Sequence, residues 1–273
     1  MISTSVFTLD SINYCKPDHK DQIVVAGSHG GLYSAYKVLS CRVRGAILND
    51  AGKGKNNAGI AALDFCEKHG VPVAVIDHAS ARIGDAQDMQ RRGIVSGCNA
   101  SAEKAGIAVN MPCSEAVELL LAYQGYPVWQ PLGVMEEYRH EIMLPGMDEA
   151  VVCIDSASGI IPTDAGRVVV TGSHGGLIGG DPTKAINVAA RFTAFNDAGF
   201  GMDDAGVGRL APLAARGIAA VVVDRGSAEI GNGRSTLQDG VISRVNAVAE
   251  TMGCLPGENL AKALCAFVLR NRQ

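Results

Sequence analysis

The chain of 273 residues lacks long apolar runs and carries little charge of either sign. No stretch approaches the roughly 20 apolar residues of a membrane-spanning helix. Charged residues make up 19% of the chain, and the net charge of -4 comes without a basic run, so neither nucleic acid nor an anionic membrane is expected as a partner. The first twenty residues include Asp10, Lys16 and Asp18 where a secretory signal would be apolar. We therefore expect a cytoplasmic protein.

Loops that bind common cofactors are also missing. The glycine-rich turns read Gly-Ser-His-Gly-Gly, without the Gly-x-Gly-x-x-Gly spacing of dinucleotide folds, and there is no Walker loop. None of the eight cysteines forms a Cys-x-x-Cys pair, which leaves a zinc knuckle or a thioredoxin-like motif without support. We expect no organic cofactor, while a metal ion remains an open alternative.

The chain does contain one stretch twice. An apolar run leads into Gly-Ser-His-Gly-Gly at 23–32 and again at 168–177, and further identities follow in the same order along the whole unit. Such ordered identities are the signature of a tandem duplication. We predict a first α/β repeat at 1–126, a connector at 127–149 and a second α/β repeat at 150–273, with a pseudo-twofold axis between the repeats.

Each repeat alternates aliphatic runs with helical patterns. The runs are rich in valine and isoleucine and show no polar alternation, which is typical of strands buried on both faces. Strand-helix alternation predicts two Rossmann-like units with mostly parallel sheets covered by helices. The predicted strands lie near 4–10, 22–27, 44–49 and 71–77, and near 150–155, 166–171, 191–195 and 217–223.

The connector has no counterpart in the repeat and contains the only tryptophan, Trp129. Our interpretation is that it packs across the joint between the repeats. A lid, or a contact in a homo-oligomer, is the functional alternative.

The duplicated turn is the first candidate site, because ligands of parallel sheets bind beyond the carboxyl ends of the strands. Its serine, in a predicted strand-to-helix turn, locally resembles the nucleophile elbow of α/β-hydrolases, with Ala26 in place of the first glycine. The alternative is an anion-binding loop whose serine hydroxyl and backbone N–H groups hold a carboxylate or phosphate. The candidate residues are Ser28, His29, Ser173, His174, Gly27, Gly30, Gly31, Gly172, Gly175 and Gly176.

Two further polar loops follow neighbouring predicted strands. Asp50 lies in an Asn-Asp-Ala-Gly segment, where it either braces a turn or orients an imidazole. His78 follows the next strand, and Arg225 stands at the equivalent position of the second repeat. Ser28, Asp50 and His78 occur in the chain order of α/β-hydrolase triads, whose hydroxyl needs a base held by a carboxylate. Further candidates in these loops are Asp197 as a catalytic residue and Asn49, Asn196, Ser80, Arg82 and Ser227 as substrate-binding residues.

Two metal sites are conceivable from the same loops. His29, Asp50, Asp77 and His78 would supply mixed nitrogen and oxygen ligands, or His29 and His174 would meet across the axis. A close-spaced ligand motif such as His-Glu-x-x-His does not occur.

The leading hypothesis is a small-molecule hydrolase that cleaves an amide, imide, lactone or ester bond in a small anionic metabolite. Ser28 would be the nucleophile or a substrate clamp, His29 or His78 the base, and Asp50 the orienting carboxylate, with the turn N–H groups as oxyanion donors. Two alternatives stay open. One is a cofactor-free or metal-dependent isomerase or lyase with its site between the halves, and the other is a non-catalytic protein that binds a carboxylate or phosphate.

Overall fold

Two mixed β-sheets organise the chain, for which a computed structural model describes residues 5–135 and 138–270. The first sheet has five strands and the second has six, and most neighbouring strands are parallel. This confirms the predicted α/β class and is consistent with two Rossmann-like halves. No helix in the described ranges has the length and apolar character needed to cross a bilayer.

In the first sheet the strands lie side by side in chain order. The first four are parallel, and the last is an antiparallel edge strand. The strands are β1 (Val6–Leu9), β2 (Ile23–His29), β3 (Gly45–Asn49), β4 (Val73–Ile76) and β5 (Val95–Cys98).

Helices cover both faces of this sheet. Successive residues of a strand point to opposite faces, so Val24 packs with one group of helices and Val25 with the other. Burial on both faces explains why these strands have continuous apolar sequences. The first face is covered by α1 (Leu32–Ser40) and α2 (Ala62–Glu67), and the second by α3 (Ala86–Arg92), α4 (Ala100–Lys104) and α5 (Cys113–Ala122).

The second sheet has the same plan with one added edge strand, which the connector supplies. Its four central strands are parallel, and both edge strands are antiparallel. The strands are β6 (Arg139–Ile142), β7 (Val151–Ile154), β8 (Val168–His174), β9 (Phe192–Asn196), β10 (Ala219–Val223) and β11 (Ile242–Val245). The α-helices are α6 (Leu210–Ala215), α7 (Gly233–Asp239), α8 (Ala247–Thr251) and α9 (Leu260–Arg270).

The connector contacts both halves. Trp129 and Leu132 pack against a core cluster of the first half, while Tyr138 and Leu144 pack against one of the second. Its strand β6 was not predicted from the sequence, because a segment reading Arg-His-Glu-Ile shows no apolar alternation. Residues 136 and 137 of the connector lie outside the described ranges.

The carboxyl ends of the two sheets face each other across a joint. His29 at the end of β2 and His174 at the end of β8 have ring centroids 6.5 Å apart. Backbone bonds cross the joint reciprocally, from the Lys55 N–H to the Arg225 carbonyl at 2.8 Å and from the Met202 N–H to the His78 carbonyl at 2.7 Å. A small apolar cluster lies between the halves, made of Ala51, Ile83, Ala198 and Ile230.

Arg225→Ala should destabilise the joint between the halves. The Arg225 guanidinium lies 2.6 Å from the His78 ring and packs against Gly52 and Gly199, so its loss removes both a charge-assisted hydrogen bond and contact area. We expect the free energy of unfolding in urea to fall by about 2 kcal/mol. Lys55→Ala is the control, because its ion pair with Asp239 is partly solvent-exposed and should contribute less than about 1 kcal/mol. Equal losses for the two variants would contradict this assignment.

Candidate functional site

Both duplicated turns line a crevice between the halves. It consists of two adjoining cavities of about 480 and 390 Å³, whose walls share His29, Tyr33, Ser156 and Ser173. The larger cavity adds Asp155, Glu229 and apolar walls, whereas the smaller adds Ser28, His174 and Arg209. The turns that the sequence singled out therefore meet at one place.

His29 and His174 are held as neutral rings with a defined tautomer. The Gly31 N–H donates to His29 Nδ1 at 3.2 Å, and the Gly176 N–H donates to His174 Nδ1 at 3.1 Å. Since Nδ1 accepts a hydrogen bond and so bears no proton, the neutral ring carries its proton on Nε2. Burial lowers the pKa of His29 to about 4. Burial, with the charge of Arg209 added, lowers the pKa of His174 well below its usual value. Near neutral pH both rings are hydrogen-bond donors at Nε2.

The two serines of the turns are also donors. Ser28 Oγ accepts the Ile12 N–H at 2.9 Å, and Ser173 Oγ accepts the Ala157 N–H at 2.8 Å. Each hydroxyl keeps its own proton for another acceptor. Ser28 lines the smaller cavity and Ser173 lines both, so the crevice has hydroxyl donors from both halves.

The glycines of the turns serve close packing of the backbone. A Cβ atom at Gly27 would lie 2.7 Å from the Asp10 carbonyl, and one at Gly30 would lie 2.9 Å from the Gly59 carbonyl. The turn N–H groups already have acceptors, since the Gly30 N–H donates to the Asn49 carbonyl at 2.8 Å. A Cβ atom at Gly172, Gly175 or Gly176 would likewise lie too close to neighbouring atoms. The Gly175 N–H donates to the Asn196 carbonyl. The N–H groups of Gly31 and Gly176 are taken up as well, by the histidine rings, so these turn N–H groups are not free to bind an oxyanion.

Asp50 and His78 belong to a different network, at the joint. Asp50 Oδ1 accepts the N–H groups of Gly52 at 2.8 Å and His78 at 3.0 Å, and Oδ2 accepts the Ser96 hydroxyl at 2.8 Å. Burial raises the pKa of Asp50, but bonds from the His78 ring, Ser96 and backbone N–H groups outweigh it, so the net pKa is lowered. Asp197 lacks an imidazole partner, and burial raises its pKa. Both carboxylates brace their loops.

His78 has no nitrogen left for a base or ligand role. Its Nε2 lies 2.6 Å from Arg225 Nη1, and arginine only donates, so Nε2 is the acceptor. The ring proton is then on Nδ1, which lies 3.1 Å from both Asp50 Oδ1 and Asp77 Oδ1. The ligand atoms of these three side chains lie within 4.8 Å of one another, so they are close enough to share a cation. The Arg225 charge and the protonated Nδ1 make such binding unfavourable.

The structure does not bring Ser28 together with Asp50 and His78. Ser28 lies on β2 and turns toward the loop after β1, where Ile12 is its partner. Asp50 follows β3 and turns toward β5, where Ser96 lies, on the far side of the sheet from β1. The two groups diverge along the sheet, and neither Asp50 nor His78 lines either cavity of the crevice.

The other substrate-binding candidates are hydrogen-bonded or paired to other groups of the protein, and none of them lines either cavity. The Ser80 hydroxyl donates to the Asp77 carbonyl, and Arg82 pairs with Asp88 and Asp85. Ser227 repeats the bond of Ser80 in the second half, and Asn49 and Asn196 each accept a turn N–H from a fully buried position.

Sequence reasoning missed Asp155, which lines the larger cavity. The N–H groups of Gly233 and Tyr138 donate to its two oxygens at 3.0 and 3.1 Å, and burial raises its pKa. A signal for it existed, since Asp10-Ser11 returns as Asp155-Ser156. Arg209 was also missed, and the repeat gave no signal for it because Ala62 is its counterpart in the first half.

Asp155 lines the crevice, whereas its counterpart Asp10 does not. Asp10 accepts the Ala86 N–H at 3.1 Å, as Asp155 accepts the Gly233 N–H. However, the chain after β8 makes short 3-10 turns instead of a helix like α1, and Gly179 there lies against Asp10. A Cβ atom at Gly179 would be 2.6 Å from Asp10 Oδ2. The two carboxylates are therefore not equivalent, and Asp10 lines neither cavity.

Comparisons of the chain with models of protein families, with curated proteins and with solved structures found no match. The function of the protein therefore has to follow from the crevice itself.

The neutral state of the paired histidines predicts a loss of stability in acid. Between the unfolded pKa of 6.5 and the folded pKa of about 4, the unfolded chain protonates His29 and the folded chain does not. Folding stability must then fall as the pH drops through this window, by up to about 3 kcal/mol for His29. Urea unfolding across the window should give a shallower pH dependence for the double variant His29→Gln/His174→Gln than for the wild type. Identical slopes would show that the rings are not held neutral.

Proposed function

We propose that the protein is a small-molecule enzyme that moves a proton at a carbon next to a carbonyl or carboxylate group, as cofactor-free isomerases and lyases do. One observation carries this proposal: four hydrogen-bond donors and one carboxylate of raised pKa line the same crevice. The donors are the side chains of Ser28, His29, Ser173 and His174, and the carboxylate is Asp155.

The two histidine donors suit an oxygen that gains negative charge during the reaction. Removing a proton next to a carbonyl moves charge onto the carbonyl oxygen, and preorganised neutral donors stabilise that charge best where water is excluded. A neutral imidazole keeps its Nε2 proton throughout, so it acts by hydrogen bonding rather than by ion pairing. His29 lies on the wall that both cavities share, which makes it the nearest candidate for the carbonyl oxygen.

Asp155 supplies the base. Burial raises its pKa and thereby makes the carboxylate a stronger proton acceptor than an exposed aspartate. Two backbone N–H groups fix its orientation, and Leu32, Tyr33 and Ile230 are among the side chains that form the walls of the same cavity. A fixed carboxylate in partly apolar surroundings is suited to removing a proton from carbon.

Hydrolysis of an amide, imide, lactone or ester is the second candidate, with water as the nucleophile. The observation that favours this form is that the Ser28 hydroxyl is hydrogen-bonded to the Ile12 N–H and not to a base, whereas Asp155 lines a cavity of about 480 Å³ that has room for a substrate and a water molecule. The same donors would then stabilise the tetrahedral oxyanion.

We also propose that the two halves arose by duplication and are related by a pseudo-twofold axis. The reciprocal bonds Lys55 to Arg225 and Met202 to His78 support this relation, because 55 and 202 are equivalent repeat positions, as are 78 and 225. Closure of the Asp10 side would have left the enzyme with one reaction centre.

Solvent deuterium exchange tests the proposed reaction. A panel of 2-oxo acids, 2-hydroxy acids, amino acids and lactones is incubated with the protein in D₂O and followed by NMR. We expect deuterium at the carbon next to the carbonyl or carboxylate of one compound class. Asp155→Asn should slow this exchange by about 100-fold to 10,000-fold, because it removes the base.

Asp10→Asn is the matched control, since Asp10 also accepts a helix N–H but lines neither cavity. It should exchange at the wild-type rate. Ring opening of a lactone without exchange would favour the hydrolytic form. Retention of a ligand with neither exchange nor hydrolysis would overturn both candidates and leave a binding protein.

A fluorophosphonate probe tests the role of Ser28. Because its hydroxyl makes no hydrogen bond to an imidazole in the described part of the chain, we expect mass spectrometry to find no covalent adduct at Ser28 or Ser173, and Ser28→Ala to weaken substrate binding more than it lowers kcat. Stoichiometric labelling of Ser28 that abolishes activity would contradict this role and restore a covalent mechanism.

A further inference from the structure

Arg209 is a buried cation without a counter-charge. Its side chain is only 6% exposed, and no carboxylate of the described residues lies within ion-pair distance of it. Nε donates to the Gly176 carbonyl and Nη1 to the Ala185 carbonyl, which leaves Nη2 for another acceptor. A buried charge is costly unless a partner of opposite charge compensates it.

The cavity that Arg209 lines is free of acidic side chains. Its walls carry hydroxyl, amide and imidazole groups, with Lys184 as a second cation, and no aspartate or glutamate is among them. The larger cavity beside it is different, since Asp155 and Glu229 line its walls together with one arginine, the exposed Arg234. Cations are therefore the only charged groups at one end of the crevice, its cationic end, whereas both signs of charge occur at the other, and His29 and Ser173 lie where the two ends adjoin.

We propose that the cationic end binds the carboxylate or phosphate group of the substrate, with Arg209 as the charged donor and the Ser28 and Ser173 hydroxyls beside it. The inference rests on the proposed function, because it gives the substrate of the same crevice its class and its orientation. The substrate is a small oxyanion whose charged group lies at Arg209 and whose reacting carbon points toward Asp155. The reverse orientation would place the anion beside the carboxylates of Asp155 and Glu229, and the first half offers no equivalent anion site because Ala62 replaces the arginine there.

Anion titration of the whole protein tests the proposal without requiring turnover. Inorganic phosphate and malonate are titrated separately, and binding is measured by calorimetry and by the rise of Tm, which follows from mass action. We expect one of them to bind the wild type and Arg209→Gln to weaken that binding by about tenfold or more, as removal of a charge-assisted hydrogen bond does. Tighter binding of malonate would assign a carboxylate substrate, and tighter binding of phosphate a phosphorylated one.

Arg216→Gln is the matched control. Arg216 lies at the end of α6 and also donates to carbonyls of the neighbouring segment, Ile186 and Val188, but it does not line the cavity. It should bind the anion like the wild type. If Arg209→Gln does not fold, Arg209→Lys takes its place in the test. This variant keeps the charge but loses the planar guanidinium, so it should bind the anion severalfold more weakly than the wild type.

Wild-type affinity in the Arg209 variant that folds, or no anion binding by the wild type, would overturn the anion site. Asp155→Asn separates this outcome from failure of the proposed function. This variant should bind the anion at least as well as the wild type while losing proton exchange. The anion site and the proton-transfer function can therefore be refuted independently of each other.

Discussion

The hydrogen-bonding character of the crevice depends on one hydrogen bond that occurs twice, from a glycine N–H to the Nδ1 atom of the histidine two residues before it. In each turn this bond fixes the tautomer, and burial keeps the ring neutral, so His29 and His174 each present a hydrogen-bond donor at Nε2. The glycine is required there because a side chain at Gly31 would collide with the ring. A ring of the opposite tautomer would present an acceptor at Nε2 instead of a donor, and the crevice would then favour a different chemistry.

The joint between the halves turns these local donors into a site. The strands of each sheet follow chain order without reversal, so a single half has no switch point at which a crevice would form. The crevice arises only because the carboxyl ends of both sheets meet, and Asp50, His78 and Arg225 form part of that contact. Residues that resemble a catalytic relay are thus used to hold two halves together, and the side chains beside them line the cavities.

Much of the fold was predictable because burial on both faces leaves a continuous apolar sequence in each central strand. Strands β5, β6 and β11 escaped prediction because edge strands carry polar side chains such as Ser96, His140 and Arg244. The paired histidines were predictable from their repetition. The direction of each side chain was not predictable. The chain order of Ser28, Asp50 and His78 therefore suggested a catalytic triad, whereas in the structure the Ser28 side chain points away from the other two along the sheet. Asp155 lines the crevice and Asp10 does not because a turn near Gly179 packs against Asp10, and no local sequence pattern indicates that turn.

The most direct test is to determine which nitrogen of each imidazole carries the proton. Long-range ¹H–¹⁵N NMR of the wild type near neutral pH, with His29→Gln and His174→Gln used to assign the signals, reports which ring nitrogen carries the proton. We expect both rings to have an unprotonated Nδ1 and a protonated Nε2. A proton on Nδ1, or a doubly protonated ring, would contradict the assignment of these histidines as neutral donors.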